Sequence, residues 1–205
     1  MSEVKLWQLL GGPGSVPYHL FDVVRKRVNR KLAAYLVAKA SPQGRRCHVL
    51  EAGSGPAFAS SLLASRPGVF SVALDIDVDA LREARKRDPA LPVVIGDLYS
   101  LPFKMGLFDL VWNSSTLEHL AAPDRALAEM TRVAGQKGYI FVGVPYRGGP
   151  LGFQPWIKDH RLGVWIGAVF SRGELIGQIQ QARLEPVETI CYFFRFFIGV
   201  LARKP

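Results

Sequence analysis

The sequence predicts an α/β protein of the doubly wound class with a mainly parallel sheet, and three observations support that class. Apolar runs of strand length alternate with helix-forming segments along most of the chain. The first run, residues 48–50, passes through an acidic residue into the turn Gly53-Ser54-Gly55, where glycine lets the backbone approach a ligand closely. The second run, residues 69–74, ends at Asp75, twenty residues after Gly55. A parallel neighbouring strand would present that carboxylate to ribose hydroxyls, so the pattern indicates a nucleotide-cofactor turn.

The elements follow one another at the spacing of a doubly wound sheet. The predicted strands are residues 48–50, 69–74, 91–95, 108–113, 138–144, 187–193 and 196–202. The predicted helices are residues 18–40, 58–65, 78–87, 123–133 and 171–182. The sequence contains no internal repeat or low-complexity segment, and its length predicts a single compact domain.

Local signals justify the helices in turn. The first carries a stripe of apolar residues at steps of three and four, made of Phe21, Val24, Val28, Leu32 and Tyr35. Asp77 and Asp79 lie at the positive end of the third helix, where we expect both to act as caps. Pro123 suits the first turn of the fourth helix. Ser171 and Glu174 have the spacing of a capping box for the fifth helix.

Composition limits the classes of protein that fit. The chain has 205 residues, 49% of them hydrophobic and 21% charged, which is enough to bury a sizeable core. No apolar run reaches the roughly 18 residues of a membrane-spanning helix. The N-terminus lacks a secretory pattern, so we expect a cytoplasmic protein. Cys47 and Cys191 form neither a metal-binding spacing nor a redox pair, and no metal site is expected.

The formal net charge of +9 is concentrated near the N-terminus. Residues 1–48 hold nine basic and two acidic side chains, a balance of +7, and most of the basic ones fall in the first helix. Three interpretations of this basic helix stay open. It forms a solvated outer face, it lies on the surface of an acidic membrane, or it binds RNA phosphates, in which case binding weakens with salt.

The glycine turn distinguishes two classes of cofactor. A dinucleotide turn requires the spacing G-x-G-x-x-G, and Phe58 occupies the position of its third glycine. With Glu51 two residues before Gly53 and Ala57 two residues after Gly55, the run instead resembles the E/D-x-G-x-G-x-G turn of class I S-adenosylmethionine-dependent methyltransferases. Ala57 departs from that pattern by one methyl group, and we expect it to tolerate the same backbone. A nicotinamide-dependent oxidoreductase is therefore disfavoured.

The resemblance covers roughly residues 45–205 and includes later motifs. Leu74-Asp75-Ile76-Asp77 is similar to the family's second motif, with Asp75 implied to hold the ribose and Ile76 to pack on adenine. Gly96-Asp97-Leu98 is similar to the third motif, whose acidic residue meets the adenine amino group, and Asn113 is implied to lie beside the cofactor. The implied cofactor is S-adenosylmethionine, and the cofactor-binding residues are Glu51, Gly53, Gly55, Asp75, Ile76, Asp97, Leu98 and Asn113.

The resemblance also implies details of the fold. It implies a Rossmann-like methyltransferase fold, with a seven-stranded, mainly parallel sheet and an antiparallel C-terminal edge strand. We expect residues 1–44 to form a basic N-terminal helical segment that packs on the core and residues 45–205 to form the methyltransferase domain. Within that domain, residues 146–170 are expected to form a substrate lid rich in aromatic side chains.

The implied reaction is methyl transfer from a sulfonium, which depends on orientation of the acceptor more than on a strong base. His160, Tyr146 and His119 are candidates for a catalytic group. The run Asn113-Ser114-Ser115-Thr116 is unlike the Asn/Asp-Pro-Pro-Tyr motif of nucleobase and glutamine N-methyltransferases, and we expect a small, partly apolar acceptor. Two alternatives stay open: an RNA or protein methyltransferase that uses the basic helix, and a cofactor-binding domain without turnover.

Overall fold

The computed structural model describes residues 16–41, 45–153 and 167–205. Its strands are β1 (Cys47–Ala52), β2 (Val69–Asp75), β3 (Val93–Ile95), β4 (Phe108–Ser114), β5 (Ala134–Pro145), β6 (Glu185–Tyr192) and β7 (Phe197–Arg203). Its α-helices are α1 (Val16–Ala40), α2 (Phe58–Ala64), α3 (Val78–Arg87), α4 (Pro123–Val133) and α5 (Arg172–Gln181). Short 3-10 helices lie at Leu117–His119 and Pro150–Phe153.

The described residues form a seven-stranded sheet in the order β3-β2-β1-β4-β5-β7-β6. The strands β1 to β5 pair in parallel, whereas β7 is antiparallel to both β5 and β6. The predicted doubly wound fold with an antiparallel C-terminal strand is therefore confirmed. That strand lies second from the edge of the sheet, and β6 forms the edge itself. The parallel strands bring their carboxyl ends to one side, which is where ligands bind in sheets of this class.

The predicted elements lie within a few residues of the observed ones, with two informative differences. β3 begins at Val93 rather than at residue 91, directly after Pro92, which has no backbone N–H to donate to the sheet. β5 begins at Ala134 rather than at residue 138, because Ala134 pairs with Phe108 before a bulge in β5 that precedes the pair of Leu110 and Tyr139. This pairing depends on the neighbouring strand and leaves no periodic pattern in the sequence.

The helix caps follow the predicted chemistry, with one correction. The carboxylate of Asp77 caps α3 and accepts hydrogen bonds from two backbone N–H groups of the first turn, at 2.9 and 3.1 Å. Asp79 is not a second cap; it lies inside the first turn, where its carboxylate pairs with Arg82 at 2.7 Å. Ser171 and Glu174 form the predicted capping box at the start of α5.

The helix α1 runs antiparallel to the parallel strands. Its C-terminal end lies at the amino ends of β1 and β4, where Ala40 shares a cavity with His48 and Asp109. Leu32 and Leu36 are buried against the sheet. At about 1.5 Å per residue the 25-residue α1 is about 37 Å long.

Both faces of the sheet are covered by helices. On one face, α1 and α2 pack through Leu36 and Leu63 onto Phe141 of β5. On the other face, α4 and α5 pack through Met130 and Ile179 onto the opposite side of the central strands. Within the described part of the chain, no helix is both long and apolar enough to cross a membrane.

Candidate active site

The glycine turn after β1 has left-handed backbone at three alternate positions. Gly53, Gly55 and Ala57 have φ angles of 76°, 49° and 54°. The N–H groups of Gly53 and Ser54 both donate to the carbonyl oxygen of Leu74 at 2.9 Å, which ties the turn to the end of β2. Ala57 adopts the left-handed conformation despite its methyl group, which is buried. The departure from the family pattern at Ala57 therefore does not disrupt the turn, although it costs about 1–2 kcal/mol of backbone strain.

The first two glycines of the turn have different surroundings. A Cβ at Gly53 would lie 2.4 Å from Cγ2 of Thr116, and the Thr116 hydroxyl donates to the Gly53 carbonyl oxygen at 3.0 Å. A Cβ at Gly55 would meet no described atom within 4 Å. Gly53 is therefore required for packing inside the protein, whereas Gly55 leaves an open backbone surface on which a ligand can lie. Thr116 carries no motif signal in the sequence, and its contact with Gly53 reveals its role.

Glu51 is buried beneath the turn, with 7% of its surface exposed. Its Oε2 accepts a hydrogen bond from the N–H of Ser60 at 2.6 Å, so the carboxyl group fixes the first turn of α2. Burial raises the pKa of Glu51 to about 7, and hydrogen bonds from Ser60 and Ala59 oppose that shift. The cofactor contact of Glu51 stays a prediction, and the structure adds a role in positioning the turn.

Asp75 and Ile76 follow β2 at the mouth of the site. Oδ2 of Asp75 accepts a hydrogen bond from the N–H of Gly55 at 2.5 Å, and its Oδ1 accepts one from the N–H of Asp77 at 2.9 Å. Each carboxylate oxygen keeps a further lone-pair site for a hydroxyl group of a ligand. Ile76 has 69% of its surface exposed and offers an apolar contact beside that carboxylate.

The other three predicted cofactor residues lie at the carboxyl ends of β3 and β4. Asp97 is exposed, and its Oδ1 accepts a hydrogen bond from the N–H of Tyr99 at 2.9 Å. Leu98 is buried in the core. Asn113 is fully buried and joins β4 to β1, because its Nδ2 donates to the carbonyl oxygen of Ala52 at 2.7 Å. Asp97 is therefore accessible to a ligand, while contact of Asp97, Leu98 and Asn113 with a cofactor stays a prediction.

A second group of polar side chains lies at the carboxyl ends of β4 and β6. The hydroxyl oxygens of Ser114 and Tyr192 are 2.8 Å apart. Burial raises the pKa of Tyr192 well above its usual range; the hydrogen bond with Ser114 opposes that shift, and the nearby Glu118 carboxylate adds to it. We refer to Ser114, Glu118 and Tyr192 together as the Ser114–Glu118–Tyr192 cluster.

Glu118 brings this cluster next to the glycine turn, because it lies two residues beyond Thr116, which packs on Gly53. Glu118 has 7% of its surface exposed, and among the described residues its Oε2 has no hydrogen-bond partner. Burial raises the pKa of Glu118 to about 8, and its own backbone N–H opposes the shift. The side chain is therefore mostly protonated at neutral pH. The sequence gives no comparable signal for Tyr192, which lies 78 residues from Ser114.

The three candidate catalytic residues occupy different positions. His119 is exposed and packs against the backbone of Gly167, where a Cβ would lie 2.8 Å from the imidazole Nδ1. Tyr146 is half-buried after the end of β5, and its N–H donates to the carbonyl oxygen of Phe196 at 2.8 Å. His160 lies outside the described residues. Within the described ranges, no group of three or more His, Cys, Asp or Glu side chains is placed to bind a metal ion.

The surface of the site fits an adenosine-containing cofactor. The backbone at Gly55 is open on the side of its missing Cβ, the Asp75 carboxylate is held at the mouth, and the exposed Ile76 lies beside it. A backbone surface without side chains suits close approach of a ligand, a fixed carboxylate suits ribose hydroxyls, and an exposed apolar side chain suits an adenine ring.

Comparison with known proteins gives a consistent result. A family model described as a methyltransferase domain matches residues 50–142, the part of the chain that holds the glycine turn. The chain is 32% identical over 129 residues to malonyl-[acyl-carrier protein] O-methyltransferase of Geobacter sulfurreducens, covering 61% of this chain and 47% of that protein. It is 36% identical over 106 residues to demethylmenaquinone methyltransferase of Streptomyces avermitilis, covering 52% of this chain and 46% of that protein. The chain thus spans about half the length of these curated relatives.

Solved structures have the same fold at low sequence identity. A structure from Thermotoga maritima described as a SAM-dependent methyltransferase, possible histamine N-methyltransferase, aligns with a TM-score of 0.69 and 21% identity, covering 92% of this chain and 94% of that chain. Geranyl diphosphate methyltransferase in complex with SAM aligns with a TM-score of 0.71 and 16% identity, covering 96% of this chain and 94% of that chain. The motifs, the matched methyltransferase domain and this fold together support a class I S-adenosylmethionine-dependent methyltransferase.

Proposed function

We propose that this protein transfers a methyl group from S-adenosylmethionine to a small, partly apolar acceptor. The observation that carries the proposal is the contrast within the glycine turn. Gly53 is locked against Thr116, while Gly55 presents open backbone beside the Asp75 carboxylate. When bound, S-adenosylmethionine supplies a methyl group on a positively charged sulfur, which is a good leaving group.

The predicted cofactor residues divide into two groups by burial. The residues that would contact the cofactor from the surface of the site are Gly55, Asp75, Ile76 and Asp97. The residues that would support them from below are Glu51, Gly53, Leu98 and Asn113. Loss of a surface residue should therefore weaken binding with a smaller loss of stability than loss of a supporting residue causes.

The protein's own contribution to the reaction is to orient the acceptor and exclude water. We propose residues 146–170 as the lid that does so. Arg147 anchors one end of this segment to the other: its guanidinium donates to the carbonyl oxygen of Val169 at 2.8 Å and pairs with Glu174 of α5 at 3.0 Å. Both ends of the segment are therefore held at the carboxyl edge of the sheet.

The same edge favours an acceptor with an apolar part. Tyr192 stacks on Phe197 with ring centroids 5.6 Å apart, and Phe193 packs against Phe196 and Phe197 with centroids 6.1 and 6.3 Å apart. The curated relatives are named for transfer to malonyl-[acyl-carrier protein] and to demethylmenaquinone, and these names support a small-molecule acceptor group.

A second candidate function is methyl transfer to RNA or protein guided by α1. Arg27, Arg30 and Lys31 are exposed on this helix. The same charges would attract an acidic membrane surface. Retention on immobilised RNA that falls steeply with salt would support this candidate, whereas a small-molecule enzyme is expected to show little retention.

The proposed function is tested in two steps. Calorimetry first measures binding of S-adenosylmethionine to the purified chain, with a nicotinamide dinucleotide as the control ligand. Labelled methyl donor is then incubated with hydroxylated aromatics, carboxylic acids, thiols, amines and RNA as acceptors. Transfer to a small molecule is the expected result, cofactor binding without any transfer would favour a domain without turnover, and absence of cofactor binding would contradict the proposal.

A further inference from the structure

We infer that Glu118 is the catalytic base for a phenolic acceptor. Ser114 and Tyr192 are positioning residues that hold the acceptor hydroxyl beside Glu118. These roles rest on the proposed methyl-transfer function. The acceptor class follows from the Ser114–Glu118–Tyr192 cluster. None of the three catalytic candidates that the sequence suggested belongs to this cluster.

The cluster adjoins the surface that would hold the cofactor. Ser114 is the last residue of β4, and β4 lies directly beside β1, whose end carries the glycine turn. Thr116 then contacts Gly53, and Glu118 follows in the same 3-10 turn. An acceptor bound at Glu118 would therefore lie next to a donor bound at the glycine turn.

Tyr192 reaches the cluster from the other end of the sheet. β5 and β7 lie between β4 and β6, and the Tyr192 hydroxyl passes over them to Ser114 at 2.8 Å. Gly143 of β5 makes this possible, because a Cβ there would clash with the Tyr192 hydroxyl and would lie 3.2 Å from Ser114 Oγ. A glycine in the middle of a central strand weakens the strand, so its presence here fits a requirement for this contact.

Glu118 has a buried carboxyl group with an unused oxygen. Among the described residues Oε2 has no hydrogen-bond partner, and such a buried, unpaired group destabilises a fold. A ligand hydroxyl would satisfy it. The elements packed against this turn are β5, which Tyr146 follows, and α4, which carries Asp124. Tyr192 of β6 interacts electrostatically with Glu118, and His119 lies in the turn itself. None of these groups shifts the pKa of Glu118, which burial raises.

The strength of this base suits a phenol. The base is the ionised form of Glu118, a minority at neutral pH because burial raises its pKa to about 8. A phenolic hydroxyl has a pKa of about 10, so this carboxylate is closer in proton affinity to a phenolate than an ordinary carboxylate is. Aliphatic hydroxyls are far weaker acids, and a carboxylate or thiolate acceptor needs no base. The aromatic rings of Tyr192, Phe193 and Phe197 at the same edge also favour an aromatic acceptor.

The transfer step balances without any further reagent. The O–H bond of the acceptor breaks and its proton passes to Oε2 of Glu118, while a C–O bond forms to the methyl carbon. The C–S bond of the donor breaks at the same time, and its electron pair stays on sulfur. The products are an aryl methyl ether, a neutral thioether and one proton, which Glu118 releases to water.

The test compares the wild-type protein with Glu118→Gln, Glu118→Leu and Tyr192→Phe, with labelled S-adenosylmethionine and with catechol, 1-naphthol and 4-hydroxybenzoate as acceptors. Glutamine keeps a hydrogen-bond donor but cannot accept the proton. Both Glu118 variants are therefore expected to lower kcat by about 100-fold or more, with unchanged calorimetric affinity for S-adenosylmethionine. Tyr192→Phe is expected to raise KM more than it lowers kcat.

A readout on the wild-type protein does not depend on folding of the variants. Carbon-13 NMR of labelled glutamate, with Glu118→Gln used for assignment, should show the Glu118 carboxyl titrating near pH 8. Catechol added to the protein with S-adenosylhomocysteine bound should then shift that resonance. Absence of a shift at saturating catechol would overturn the inference.

The kinetic outcomes separate this inference from the proposed function. A Glu118→Gln variant that stays active while Glu118→Leu does not would identify a hydrogen-bond donor rather than a base, and would overturn the inference. Transfer only to thiols, amines or carboxylic acids, or to no member of the panel, would also overturn it while cofactor binding stands. A protein that binds no cofactor at all would instead contradict the proposed function itself.

Discussion

Replacing Gly53 by alanine tests the packing of the glycine turn. The new Cβ would lie 2.4 Å from Cγ2 and 2.6 Å from Oγ1 of Thr116, in a backbone with a φ of 76°. The left-handed conformation costs about 1–2 kcal/mol, the forced overlap about 1–3 kcal/mol, and the loss of the Thr116–Gly53 hydrogen bond about 1 kcal/mol. We therefore expect the free energy of unfolding to fall by roughly 3–6 kcal/mol, measured by urea denaturation.

Gly55→Ala is the matched control, because Gly55 also has a positive φ, of 49°, but no described atom within 4 Å of its added Cβ. This variant should lose only about 1–2 kcal/mol of stability. Combining Gly53→Ala with Thr116→Ser removes the clashing methyl group and should recover about 1 kcal/mol. Equal losses for Gly53→Ala and Gly55→Ala, with no recovery in the double variant, would refute the packing of Gly53 on Thr116.

Other perturbations probe a buried acid, a strand end and a helix cap. The pKa of Glu118 in the folded protein, about 8, lies above its ordinary value of 4.5, so the native state keeps a proton that the unfolded chain releases between those values. Stability therefore falls as pH rises from about 4.5 to 8. Urea titrations at pH 5 and pH 8 should show that the stability of Glu118→Gln relative to wild type rises by on the order of 3 kcal/mol between these pH values. If the stabilities of both proteins change equally with pH, the burial of an unpaired acid is contradicted. Asp75→Asn should lower the affinity for S-adenosylmethionine, measured by calorimetry, by about 10- to 100-fold. Asp109→Asn, at the opposite edge of the sheet, should leave the affinity unchanged. Equal effects of the two substitutions would refute the placement of the cofactor at the carboxyl edge. Ser171→Ala should lower the thermal stability of the protein by about 1 kcal/mol through loss of the α5 cap, and an unchanged melting curve would refute that role.

Local patterns in the sequence predicted most of the secondary structure. The capping box of Ser171 and Glu174 lies within four residues, so its geometry follows directly from the spacing. The early start of β5 at Ala134 could not be predicted, because it depends on pairing with Phe108 across a bulge in β5. The antiparallel C-terminal strand was likewise implied by the family resemblance and not by periodicity, since pairing between strands is a long-range property.

The site residues that lie in the glycine turn or directly after a strand could be predicted from the sequence. Asp75 follows its strand directly, and its position at the glycine turn agrees with the spacing. Glu118 was missed because burial without a partner leaves no pattern in the sequence. The contact between Ser114 and Tyr192 joins residues 78 positions apart across two intervening strands, and only the folded sheet brings them together.

Calorimetric titration of S-adenosylmethionine into the purified chain, alongside Gly55→Ala, tests the central claim most directly. The open backbone at Gly55 predicts one binding site per chain in the wild type and binding weakened at least about tenfold in the variant, which places a methyl group on that surface. Binding of a nicotinamide dinucleotide in place of S-adenosylmethionine, or no binding by protein whose circular dichroism shows it to be folded, would contradict the assignment of this turn.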